Sequence, residues 1–179
     1  MRTLVWFRGK DLRLGDHAPL VDAAHKGELI CLFVLDPYFF AAERARELPH
    51  RLQFLLESLA ALAAELQQRG SCLVLARGRS VEVVPQLART WRVDRVVAHR
   101  WSEPFARQRD ARVAAALPVP LELWEGETLA PPGTLRTADG RPFSVFTAYA
   151  RAHRLHTTIG EPLPAPRRLP PLPPDIEVP

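Results

Sequence analysis

Leu29 to Leu35 (LICLFVL) is an unbroken apolar run, with no polar residue at the two-residue period of a half-exposed strand or at the wider period of an amphipathic helix. At this length it reads as a strand buried on both faces. Such a strand needs helices on each side of its sheet, and hence parallel neighbours joined by crossover connections. Four companion runs share its character: Leu4 to Phe7 with Thr3 before it, Cys72 to Ala76, Arg95 to Ala98 and Leu121 to Trp124.

The segments between these runs read as helices. Asp16 is placed to cap a short helix through Leu20, Val21, Ala23 and Ala24, with Pro19 in its first turn and Gly27 beyond it. Pro49 to Arg69 is the longest, with Leu52, Leu55, Leu56, Leu59, Leu62 and Leu66 at three- and four-residue spacings and Gly70 as its stop. Ser80 is placed to cap a helix through Val84, Leu87 and Trp91, and a further helix carries Arg107, Arg109 and Arg112. Strands alternating with helices, without an internal repeat, predict a doubly wound α/β domain with a parallel sheet and right-handed crossovers. Past Trp124 the pattern changes: Pro131, Pro132, Gly133 and Gly140 punctuate a long excursion, and Phe143 to Leu155 suits one last helix. The division expected is a folded domain over 1–160 and a proline-rich linker or tail over 161–179, outside the core.

In an open parallel sheet, ligands bind in the crevice beyond the carboxyl ends of the strands. The candidates are therefore strand-end residues and their neighbours: Phe7, Arg8 and Asp11 after the first strand, Leu35, Asp36 and Phe40 after the second, Arg51 and Phe54 on the long helix, and Trp101, Glu103 and Arg109 after the fourth. Aromatic faces could hold a planar ring, and Arg8 or Arg51 could meet a phosphate or carboxylate. The alternative is that the aromatics are core and the charges tie loops together.

Other chemistries are not signalled. There is no GxGxxG, no GxxxxGK[ST], no HExxH and no GxSxG, and the two cysteines, Cys31 and Cys72, are too few for a metal set. Neither a catalytic residue nor a metal ligand is assigned. The formal charge is +4, and only Lys10 and Lys26 of the 24 basic residues are lysines; with no contiguous basic block, weak and salt-sensitive DNA affinity at most is expected. No apolar run of 18 residues exists, so no membrane partner is expected, and buried thiols suit a reducing, cytoplasmic setting.

The opening LVWFRGKDLRLGDHAPL resembles the start of the DNA photolyase and cryptochrome family, with its WFRxDLRxxDN signature. The matching residues are Trp6, Phe7, Arg8, Asp11, Leu12, Arg13 and Asp16; one extra residue separates Arg8 from Asp11, and His17 stands where asparagine is usual. Further similarity runs through FVLDP at Phe33 to Pro37, RLQFLLESLAAL at Arg51 to Leu62, Glu103, Arg109 and Asp110, and FSVFTAY at Phe143 to Tyr149. The five apolar runs predict a five-stranded parallel sheet of order 3-2-1-4-5, and the resemblance implies the family's N-terminal α/β domain, which in many members holds an antenna chromophore such as a folate, a deazaflavin or a flavin. It also implies that the catalytic FAD belongs to a helical domain outside this chain, met in cis or in trans, and that damaged DNA is met through the full-length protein. The chain is then a segment of a longer photolyase, inactive in repair by itself, or a free-standing module. In the second case it binds no chromophore and docks on a helical partner through the excursion from Pro131 to Tyr149.

Overall fold

The alternation of side chains along one strand sets the whole architecture. In the computed structural model, which describes residues 1–179, β1 (Arg2–Phe7) sends Leu4 and Trp6 to one face and Val5 and Phe7 to the other, and all four are at most 1% exposed. β1 lies at the centre of the sheet. β2 (Glu28–Leu35) pairs with it in parallel, Thr3 opposite Leu29 and Phe7 opposite Phe33, and β4 (Arg95–His99) pairs on its other edge, Leu4 opposite Val96. β3 (Leu73–Arg77) and β5 (Leu121–Trp124) complete the order β3-β2-β1-β4-β5. The expected doubly wound fold is thus observed.

Each face has its own core. On the Leu4 side, Ile30, Leu32, Val74 and Val96 pack against α5 (Ser80–Thr90) and α6 (Pro104–Ala116) through Val84, Leu87, Ala88 and Val113. On the Val5 side, Leu29, Cys31, Phe33 and Val97 pack against α1 (Ala18–His25) and α4 (Pro49–Gln68) through Leu20, Ala23, Leu59, Leu62 and Leu66. Each fully buried aliphatic side chain contributes about 1.5–3 kcal/mol from burial, so the two layers stabilise the sheet from both sides.

Several local expectations are corrected. α1 is capped by His17, whose Nδ1 accepts from the Leu20 N–H at 3.1 Å; Asp16 adopts φ 50° and exchanges bonds with Leu163 instead. Ser80 is the first helical residue of α5 rather than its cap, and its hydroxyl donates to Asp36 at 2.7 Å. Two short helices, α2 (Pro37–Phe40) and α3 (Ala42–Glu47), occupy the stretch after β2, and α7 (Phe146–His156) begins three residues later than the sequence suggests.

Residues 161–179 contain no helix or strand, as their prolines require, yet they are not peripheral. The Leu169 N–H bonds to Arg69 O at 2.8 Å and its side chain joins the α1–α4 core, while Ile176 joins the α5–α6 core. Asp175 takes two 3.0 Å bonds from the Arg2 guanidinium. A chain without regular structure still packs wherever apolar side chains recur at the spacing of the grooves it crosses.

Candidate functional site at the carboxyl edge of the sheet

β1 and β4 are neighbours, but the helices that follow them, α1 and α6, pack on opposite faces. Their connecting loops therefore part as they leave the sheet, and a crevice opens between them. It has a volume of about 330 Å³ and is lined by Lys10, Asp11 and Arg13 from the first loop, His99 and Trp101 from the β4 end, and Gly126 and Glu127 beyond β5.

One wall is an arrangement of rings and cations. The Arg8 guanidinium, 4% exposed, lies 4.9 Å from the centre of the Trp6 ring and 5.3 Å from that of Trp101. Arg109 repeats the contact at 5.0 and 5.1 Å, and Lys10 Nζ lies 5.1 Å from the Trp101 centre. Asp110 bridges both arginines, accepting from Arg8 Nη1 at 3.0 Å and from Arg109 Nε and Nη2 at 2.9 and 2.8 Å. Burial lowers the Arg8 pKa, and Asp11 and Asp110 oppose that shift. Across the mouth, Lys10 binds Glu103 and, at 2.5 Å, Glu127, which also accepts from the Ser102 N–H.

The floor is polar and buried. Asp11 accepts from the Arg8 N–H at 2.5 Å and faces His99 Nδ1 at 3.5 Å, too far for a full hydrogen bond. Burial would raise the Asp11 pKa, but His99 and Arg8 outweigh it and hold the carboxyl below its ordinary range. His17 packs on Phe7 at 4.7 Å and on His99 at 4.4 Å, and burial pushes its pKa down to about 3. Of the buried side-chain nitrogens and oxygens without a hydrogen-bond partner, most gather here: Arg8 Nε and Nη2, Asp11 Oδ2, His17 Nε2 and His99 Nδ1.

One donor atom from each of Asp11, His17 and His99 falls within 4.8 Å of the others, which raises the question of a metal. The chemistry is unfavourable. His17 Nδ1 accepts a backbone N–H, so the neutral ring carries its proton on Nε2, the nitrogen a metal would need; Arg8, Lys10 and Arg13 also make the surroundings cationic. The set suits a planar organic ring with a polar edge better: Trp101 lines the crevice, Asp11 and His99 offer an acceptor and a donor, and the volume lies at the lower end of the roughly 300–1,000 Å³ of ligand pockets.

The sequence candidates are divided by the structure. Asp11 and Trp101 line the crevice; Arg8, Glu103 and Arg109 form its wall and latch. Phe7 is wholly buried core, and Leu35 and Phe40 pack against the α1–α4 core. Asp36 is spent as a cap, accepting from the Tyr38 N–H at 3.1 Å and from the Ser80 N–H at 2.8 Å. Arg51 lies over the Phe39 ring at 5.0 Å, beside a hollow of about 40 Å³ between α2, α3 and α4, and Phe54 is 71% exposed on α4. The sequence did not single out Lys10, His17, His99, Gly126 or Glu127 as site residues. For His99 the strand-end rule was a sufficient signal; for Glu127, beyond β5, there was none.

The DNA photolyase family model matches residues 3–167. A deoxyribodipyrimidine photo-lyase of Thermus thermophilus is 38% identical over 176 residues, 98% of this chain and 39% of that protein. Cryptochrome DASH of Gloeobacter violaceus is 38% identical over 177 residues, 95% of this chain and 35% of the relative. Among solved structures, a Synechocystis cryptochrome superposes with a TM-score of 0.86 at 28% identity, over 99% of this chain and 38% of that one. A class III photolyase of Agrobacterium tumefaciens gives a TM-score of 0.83 at 29% identity, over 99% of this chain and 37% of its own. The chain thus spans about two fifths of the length of the proteins it matches.

Proposed function

The chain belongs to the DNA photolyase and cryptochrome family, whose N-terminal α/β domain it matches, and on that premise we propose that its crevice is an antenna site for a planar chromophore of the flavin, deazaflavin or folate class. One observation carries this reading: the β1–β4 crevice pairs an indole, Trp101, with Asp11 and His99, each of which holds a buried polar atom without a partner. Bound there, such a group supplies absorption in the near-ultraviolet and blue and passes the energy on. The protein's own residues do the holding. Trp101 packs against the ring, Asp11 and His99 meet its polar edge, and Lys10 bridges the mouth to Glu103 and Glu127. Titration with flavin mononucleotide, a 5-deazaflavin and a reduced folate should give bound absorbance for one of them at micromolar concentration. No binding by all three overturns the reading.

In the full-length protein, light-driven repair of pyrimidine dimers falls to an FAD-holding helical domain, and this chain alone performs none; its arginines give DNA at most weak, salt-sensitive affinity. A second role has its own observation. α7 buries no residue, and Val145, Phe146, Leu155 and Ile159 around it are at least 60% exposed. This surface suits docking on the helical domain. Serine at Phe146 and Leu155 should abolish co-purification with a co-expressed helical domain; unchanged co-purification would refute docking through α7.

A further inference from the structure

Of the four tryptophans, Trp6 and Trp101 have cations over their rings, Trp91 and Trp124 have none, and only Trp101 lines the crevice. Three cations crowd that single indole: Arg8 at 5.3 Å, Arg109 at 5.1 Å and Lys10 at 5.1 Å from the ring centre. A stacking wall beside a light-absorbing ring carries a hazard, because indole is among the most easily oxidised side chains and a photoexcited ring in contact with it is a strong oxidant. If one electron left Trp101, the indole would become a radical cation and the excited ring would be reduced by that electron, with no proton moved. The excitation would then be lost before it could be passed on.

We propose that Arg8, Lys10 and Arg109 make Trp101 a stacking wall that does not give up an electron, so that a chromophore bound in the crevice keeps its excited state. The reasoning is electrostatic and rests on the antenna reading above. A neutral indole is stabilised by cations over its π face, whereas an indole radical cation is a like charge placed against three others, two of them on the buried side of the crevice. Oxidation of Trp101 is thereby made harder. Asp11 and Asp110, which face the arginines, and Glu103 and Glu127, which bind Lys10, temper this field, but the groups lying over the ring are the cations. The same contacts that hold the loops thus tune the wall.

The test reads the fluorescence lifetime of whichever probe binds, flavin mononucleotide, 5-deazaflavin or reduced folate, in the full chain. The native protein and Trp101→Phe should give lifetimes within about twofold of each other. Lys10→Gln with Arg109→Gln should shorten the lifetime at least fivefold, with transient absorption of an indole radical cation, and adding Trp101→Phe should restore it. Lys10 is half-exposed, so Lys10→Gln alone serves as the variant least disturbing to the fold, with a smaller shortening in the same direction. A native lifetime far shorter than that of Trp101→Phe, or no change on removing the charges from a protein that still binds the probe, overturns this inference and leaves the antenna reading standing. Failure of every probe to bind overturns both.

Discussion

His17 offers a quantitative test of how the floor of the crevice is built. Its ring is fully buried between Phe7 and His99, and burial holds its pKa at about 3 against an ordinary value of 6.5. The native state therefore keeps the imidazole neutral at pH values where the unfolded chain protonates it. Because the unfolded state binds the extra proton, stability rises with pH through this window: the contribution is complete above pH 6.5 and is lost progressively as pH falls from 6.5 towards 3. At about 1.4 kcal/mol per pH unit over the roughly 1.5 units from 6.5 down to 5, His17 alone should remove about 2 kcal/mol of stability between pH 8 and pH 5. His17→Asn isolates the effect, because asparagine is a good N-cap for α1 and does not titrate. Urea unfolding of both proteins at pH 8, 6.5 and 5 gives the comparison. The variant starts less stable at pH 8, having lost the ring contacts, but its pH dependence should be flatter by about 2 kcal/mol. Parallel pH dependences, agreeing within about 0.5 kcal/mol, would show that the ring is not held neutral by burial and would undo the tautomer reasoning that argues against a metal.

Three further outcomes follow from particular contacts. Leu169→Ala and Ile176→Ala should each cost about 2–3 kcal/mol in urea unfolding, and because they sit in separate cores the double variant should be additive; losses under about 0.5 kcal/mol would return 161–179 to the status of a loose tail. Gly126→Ala would put a methyl group 2.7 Å from His99 Cδ2, so chromophore affinity measured by absorbance titration should fall at least about tenfold by tilting His99, and unchanged affinity would mean that His99 is not part of the floor. Asp36→Ala removes the acceptor for Tyr38 N–H and for both Ser80 donors, and should cost about 1–2 kcal/mol of stability without changing chromophore affinity; a selective loss of affinity would instead restore Asp36 as a ligand residue.

The sheet was legible because its signal is local. LICLFVL states its own burial on both faces, and helix-length segments between such runs leave few ways to connect them. The caps were misread where tertiary bonds outcompeted local ones. Asp16 is a good cap by type, but Leu163 claims it from 147 positions away, and Ser80 is turned aside by Asp36 from 44 away. Arg8, Asp11 and Trp101 could be placed at the crevice from strand ends alone. That Arg51 lies beside another hollow and Phe54 faces outward depends on how α2 and α3 carry the chain into α4, which no periodicity records. Proline content explains the irregular backbone of 161–179, but says nothing about whether side chains such as Leu169 and Ile176 find a groove.

The central position of β1 also sets a schedule for the nascent chain. β1 meets β2 early, but its other edge waits for β4: Thr3 and Arg95 stand opposite each other and are 92 residues apart. At an elongation rate of roughly 5–20 residues per second, that edge stays unpaired for about 5–20 s, with the LVWF segment half-dressed in its helices. During this interval the growing polypeptide is an open template for a neighbouring copy on the same polysome. Translation tempo across residues 35–95 thus sets how long that edge stays exposed.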